Sequence, residues 1–299
     1  MFKHDYAEVN GIRLHYVAAG EGPLILFLHG FPEFWYGWKE QLREFGNDHL
    51  AVAPDMRGYN LSSKPEQVEQ YRMKHLVEDV RALAEHLGHQ KFVLAGHDWG
   101  GVVAWAFALA HPECLEKLVI VNAPHPAVFL RELRDNPAQQ QASQYMLLFR
   151  TPQAEPILSA NGYAALLSVV LGEGLKAGAF TEEDKQAYLS AWSQPGALTG
   201  GLNYYRASGI GPPPPGQDRD DRTEEALTSF GLDPSGMAVK VPTLVIWGEK
   251  DTALLPGNLE GMETFVPHLT LRRIPEGTHW VVHEKPAEVN GYIREFLED

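Results

Sequence analysis

Residues 96–100 read Gly96-His97-Asp98-Trp99-Gly100, and no other stretch constrains the fold as strongly. The pattern Gly-x-nucleophile-x-Gly marks a sharp, strained strand-to-helix turn that pushes one side chain into an active site. The flanks supply the context this turn needs. Residues 91–95 (KFVLA) form a short apolar run of strand type, and residues 101–109 (GVVAWAFAL) open as a small-residue helix. The apex residue then restricts the chemistry. A serine attacking an acyl carbon gives an ester that water can cleave, but on a saturated carbon it gives an ether, a dead end. A carboxylate on a saturated carbon gives an ester, which water can cleave. Asp98 therefore suggests an sp3 electrophile such as an epoxide or an alkyl halide.

The rest of the chain repeats the strand-then-helix rhythm. Asn10-Gly11 between two alternating segments predicts a hairpin. Short apolar runs follow at Leu24–Leu28, 50–53, 92–95 and 118–121, separated by helical patterns such as 73–87. Further strands are predicted at 241–247 (VPTLVIW) and Leu269–Ile274, with a terminal helix over 286–297. Such alternation implies a mostly parallel central sheet flanked by helices, the α/β class. Between Ala123 and Lys240 the rhythm stops, and no buried-strand run occurs. Residues 181–193 read as a helix with Thr181 as N-cap, stopped by Pro195-Gly196. Residues 211–216 (GPPPPG), followed by the charged run 217–225, read as a stiff surface connection. The expected layout is a core over 1–123, a helical insertion over 124–240 lying across the mouth of the sheet, and a return to the core over 241–299.

Size and composition permit this and exclude other classes. A chain of 299 residues can hold a large core with one inserted subdomain. With 39 acidic and 25 basic residues the net charge is −14, which argues against nucleic acid and anionic membrane surfaces as main partners. Cys114 is the single cysteine, so no internal disulfide can form, and a reducing compartment is the simpler reading. The first ten residues (MFKHDYAEVN) lack a signal peptide's apolar stretch, and the longest apolar runs are far short of a membrane span. A cytoplasmic protein is expected.

Three further motifs accompany the elbow. His29-Gly30-Phe31-Pro32-Glu33 follows the strand Leu24–Leu28 directly. Asp251 and His279 each follow a predicted strand, in Trp247-Gly248-Glu249-Lys250-Asp251 and Gly277-Thr278-His279-Trp280. Two tyrosine-bearing stretches, Gln144-Tyr145-Met146-Leu147-Leu148-Phe149 and Gly201-Leu202-Asn203-Tyr204-Tyr205-Arg206, lie early and late in the insertion. With these in place, nearly the whole chain resembles the α/β-hydrolase superfamily, and within it the epoxide hydrolases. The resemblance implies an α/β-hydrolase fold with an inserted helical cap and an Asp98 nucleophile. It implies that His279 activates water and that Asp251 orients and charges-balances the imidazole. It also implies an oxyanion hole from the backbone N–H groups of Phe31 and Trp99. Tyr145 and Tyr205 are the expected proton donors to the opened epoxide oxygen, with Tyr204 only one residue away. Glu249 is a rival acid, and Asn122, after the run 118–121, cannot serve as a carboxylate. Trp99, Phe31, Trp35 and Phe149 are expected to wall an apolar substrate pocket.

The implied activity is epoxide hydrolysis on a small apolar epoxide and water. Haloalkane dehalogenase is the alternative, because it uses the same Asp-His-Asp triad. A departing halide needs N–H donors: Trp99 after the nucleophile fits the dehalogenase pattern, but the second donor, in one common arrangement an asparagine after His-Gly, is here Phe31. Fluoroacetate dehalogenases follow the nucleophile with arginine, where this chain has Trp99. His279 and His283 are spaced like metal ligands, as are His86 and His89, but neither pair has the acidic partners of a metal site. No metal and no cofactor is expected.

Overall fold

Asn10 and Gly11 take positive φ angles of 46° and 74°, the backbone that a two-residue hairpin turn requires. Strand β1 (Lys3–Val9) thereby folds back on β2 (Ile12–Ala19), with Val9 opposite Ile12. The structure is a computed structural model that describes residues 1–177, 180–213 and 237–298. The remaining strands are β3 (Leu24–Leu28), β4 (Leu50–Pro54), β5 (Phe92–His97), β6 (Leu115–Val121), β7 (Thr243–Gly248) and β8 (Leu269–Ile274). They form one sheet in the order β1-β2-β4-β3-β5-β6-β7-β8. β1, β2 and β4 pair antiparallel, and every pairing from β4 through β8 is parallel. The two central strands, β3 (LILFL) and β5 (FVLAGH), are buried at every position. Such uninterrupted burial is what a sheet covered on both faces demands.

Helices α1 (Lys39–Phe45), α2 (Met73–His86) and α3 (Trp99–Ala110) flank this sheet. α1 packs with the helix Pro286–Glu298, and α2 packs with α3. α2 buries Leu76, Val77, Val80, Leu83 and Ala84, an apolar stripe at helical spacing. The predicted strand over 241–247 begins two residues later than expected. Pro242 has no N–H to donate, and only its carbonyl joins the sheet, accepting from Leu118.

Between β6 and β7 the described residues form helices and no strand: α4 (Pro126–Asp135), α5 (Pro137–Ala142), α6 (Tyr145–Phe149), α7 (Ala154–Val170), α8 (Gly172–Ala177), α9 (Glu182–Trp192) and α10 (Ala197–Ser208). α9 starts on a capping box. The Thr181 hydroxyl accepts from Asp184 N, and the Asp184 carboxylate accepts from Thr181 N. α7 bends at Asn161-Gly162-Tyr163, all left-handed with φ of 51°, 65° and 63°. Of the proline segment, residues 214–216 lie outside the described residues, as does the charged run 217–225. Among the described residues no helix is long and apolar enough to cross a membrane.

α9 and α10 are tied to the core by specific bonds. Tyr188 Oη donates to Glu33 Oε1 (2.7 Å), Trp192 Nε1 to the Pro32 carbonyl (2.5 Å), and Tyr204 Oη to the Arg57 carbonyl (2.9 Å). Asp184 accepts from Tyr36 Oη at 2.8 Å and pairs with Lys39. These bonds fix the inserted helices over the carboxyl ends of β3 and β4.

Candidate active site

The turn from β5 into α3 places Asp98 at φ 51°, ψ −123°, a backbone that costs on the order of 1–3 kcal/mol. Packing outweighs that cost. Val103 and Phe107 of α3 are fully buried, and each such side chain contributes about 1.5–3 kcal/mol. The turn also needs close backbone approach. A Cβ on Gly30 would lie 2.2 Å from Asp98 Oδ1, and one on Gly100 would lie 2.1 Å from the Leu28 carbonyl.

Apart from Trp35, the side chains identified from sequence converge on this apex. Phe31 N–H donates to Asp98 Oδ1 at 2.7 Å. Trp99 opens α3, so its N–H is among those at a helix N-terminus with no partner inside the helix. His279 Nε2 stands 3.6 Å from Asp98 Oδ2, and its Nδ1 is 2.7 Å from Asp251 Oδ2. Asp251 also accepts from Ala253 N, Leu254 N and Asn122 Nδ2 at 2.8–2.9 Å. Burial alone would raise this carboxyl, but His279 and these donors hold it below the usual carboxylate range. Burial would likewise depress His279, and the carboxylates of Asp251 and Asp98 more than offset it, holding the ring well above an ordinary imidazole. Glu249, the rival acid, instead pairs with Arg273 near the surface at 2.9 Å.

Tyr145 on α6 and Tyr205 on α10 face Asp98 from the inserted helices. Their rings meet edge to face at 6.2 Å, and Tyr205 meets Trp99 the same way at 5.1 Å. Burial raises both phenols, the Asp98 charge raises them further, and both therefore keep their protons far into the alkaline range. Tyr204 turns the other way, its hydroxyl spent on the Arg57 carbonyl and its ring against Tyr59.

Two cavities flank the apex. The larger, about 300 Å³, is lined by Phe31, Phe149 and His279, with Leu158, Leu166 and Val169 of α7. The smaller, about 40 Å³, has Trp99 in its wall. Trp35, expected in the same wall as Phe31, lines neither. It starts a 3-10 turn, its N–H donates to Asp55, and its ring lies edge-on to Phe2 and His4 beside the β1–β2 hairpin.

Two features are not legible from local sequence. Asn122, which cannot serve as the acid, holds Asp251 through Nδ2 and accepts the Gly248 N–H at Oδ1. The sequence shows only its place at a strand end, where a polar side chain can reach the neighbouring loop. Beneath the site, Glu33 is buried against His283 (3.1 Å), His97 (3.5 Å) and Tyr188, and His97 Nε2 is bound to the His279 carbonyl at 2.8 Å. The paired histidines thus belong to separate networks: His279 faces Asp98 and Asp251, while His283 faces Glu33. Among the described residues no group of three His, Cys, Asp or Glu could hold a metal ion.

Comparison with known proteins agrees with this architecture. A family profile for the alpha/beta hydrolase fold matches residues 23–286. Epoxide hydrolase 4 of Mus musculus is 39% identical, over 99% of this chain and 80% of the relative. The AB hydrolase superfamily protein YfhM of Bacillus subtilis (strain 168) is 40% identical, over 99% of this chain and 98% of the relative. The crystal structure of Bacillus megaterium epoxide hydrolase with an inhibitor superposes with a TM-score of 0.89 at 40% identity, covering 99% of this chain and 100% of that one. The chain belongs to the epoxide hydrolases of the α/β-hydrolase family.

Proposed function

We propose that this enzyme converts an apolar epoxide and water to a vicinal diol through a covalent ester on Asp98. The observation that carries this reading is a carboxylate facing two protonated phenols across an apolar cavity. In the first step Asp98 Oδ2 attacks one epoxide carbon and the opposing C–O bond breaks. Tyr145 and Tyr205 bind the leaving oxygen, and one gives it a proton. Asp98 Oδ1, held by Phe31 N–H, becomes the ester carbonyl. Alkylation removes the Asp98 charge, one of the two that hold the His279 imidazolium, so the ring gives up its proton more readily. Neutral His279 then takes a proton from water as that water attacks the ester carbon. The N–H groups of Phe31 and Trp99 receive the oxyanion. Collapse releases the diol carrying the old Oδ2, and the net proton set free returns to the phenolate. Segment 124–240 acts as the cap that excludes bulk water, and the lone, half-buried Cys114 fits a reducing compartment.

Three outcomes are expected here. His279→Gln should consume about one equivalent of epoxide per site and stall, with the protein heavier by one substrate in mass spectrometry. In the parent, ester hydrolysis should slow as pH falls, because a protonated imidazole cannot take a proton; rapid-quench kinetics would test this. Protein left unmodified at saturating epoxide would refute the assignment of His279. Asn122→Ala removes one donor to a charged acid, a bond worth about 1.5–3 kcal/mol. The hydrolysis step should fall roughly 10- to 100-fold while the alkylation burst keeps its rate. A loss confined to the burst would place Asn122 elsewhere in the mechanism. The dehalogenase reading gains no support, since Phe31 offers no side-chain N–H for a halide.

A further inference from the structure

We propose that the substrate is an internal epoxide, with a bulky apolar group on one carbon and an alkyl group of about one to three carbons on the other. This inference rests on the epoxide hydrolysis proposed above. Asp98, Tyr145 and Tyr205 are the residues common to the linings of both cavities, so the reacting groups stand at a neck between two chambers. A ring pinned by Asp98 on one side and the phenols on the other lays its C–C bond across that neck. Its two carbons then direct their substituents into different chambers.

The chambers are unequal. The large one, about 300 Å³, reaches the surface beside Val169, which is 62% exposed, and Thr252. It accepts an aryl or long alkyl group whose far end meets solvent. The small one, about 40 Å³, is walled by Trp99, Pro126, Phe129, Met146 and Leu254, all buried, with half-buried Val102 of α3 among them. One water needs roughly 10–15 Å³ on this scale, so the chamber holds about three such volumes, too few for a phenyl ring. Its lining is almost wholly apolar, and a terminal epoxide would leave it unfilled. Each buried carbon there should favour binding about fourfold.

The test is a competition among styrene oxide, trans-β-methylstyrene oxide and trans-stilbene oxide in one mixture. Relative kcat/KM is then independent of how much enzyme is folded. The parent should discriminate against trans-stilbene oxide by at least about 100-fold relative to trans-β-methylstyrene oxide. Val102→Phe fills the small chamber and should lower the methylstyrene-to-styrene ratio at least about tenfold. Val102→Leu should move it the same way by less, and serves if the larger substitution does not fold. Leu166→Phe narrows the large chamber, which takes the phenyl ring of both substrates, and should leave the ratio where it is. Stilbene oxide consumed within about tenfold of the methyl compound, or a ratio unmoved by both Val102 variants, would overturn the proposal while leaving epoxide hydrolysis standing. Consumption of none of the three epoxides by the parent would overturn both.

Discussion

Asp98→Ala should abolish epoxide consumption, with a loss of at least about 10⁴-fold, while the protein stays folded. The size of the loss follows from the role: without the carboxylate no covalent intermediate forms, and only binding and the oxyanion donors remain. The fold should survive because the Asp98 side chain points into the cavities, and packing of α3 holds the turn. A thermal melt within a few degrees of the parent is the check. The covalent step itself is visible in isotopes. In a single turnover in oxygen-18 water, label should enter the Asp98 carboxylate, because water attacks the ester carbon and the old Oδ2 leaves with the diol. Label found first in the diol would mean direct attack of water on the epoxide, and the mechanism would fail.

The second large effect concerns the phenols. Each single change, Tyr145→Phe or Tyr205→Phe, should lower the alkylation rate roughly 10- to 100-fold, since either hydroxyl can still donate to the same oxygen. The double change should be close to inactive on epoxides. Both substitutions keep the edge-to-face packing among Tyr145, Phe149 and Tyr205, so a loss reports the hydroxyls and not the rings. Because burial and the Asp98 charge raise both phenols, ionisation of the pair should not slow alkylation between about pH 7 and 9. Stopped-flow measurement of the alkylation phase would decide. A double variant opening epoxides at the parent rate would remove the tyrosines from the mechanism. Equal bromide release from bromoalkanes by parent and double variant would favour dehalogenation.

Much of this architecture is legible in the chain because the relevant signals are local. Uninterrupted apolar runs give β3 and β5, Asn10-Gly11 gives the hairpin, and the elbow glycines give Asp98 its place. Thr181 announces the start of α9 through a side-chain bond only three residues long. What escapes is decided by contacts distant in sequence. Trp35 follows a site motif closely, yet a 3-10 turn sends its ring to the hairpin and away from the cleft. Asn122 meets Asp251 across 129 positions, and Glu33 meets Tyr188 across 155. The volumes on either side of Asp98 likewise arise from α3, α4, α6 and α7 together, and no single segment encodes them.

The bonds that tie the inserted helices to the sheet have a consequence for how such a catalyst can change. Tyr205 follows directly after Tyr204, whose hydroxyl is anchored on the core at Arg57, so the proposed proton donor inherits its position from the framework beneath. α7, which supplies Leu158, Leu166 and Val169, makes its described tethers within the insertion, from Glu155 to Arg206 and Thr199 and from Tyr163 to the Trp192 carbonyl. Leu158, Leu166 and Val169 carry none of these tethers, so exchanging them should admit new molecules without detuning the proposed acid, whereas Glu155, which holds Arg206 beside Tyr205, should not be exchangeable in this way.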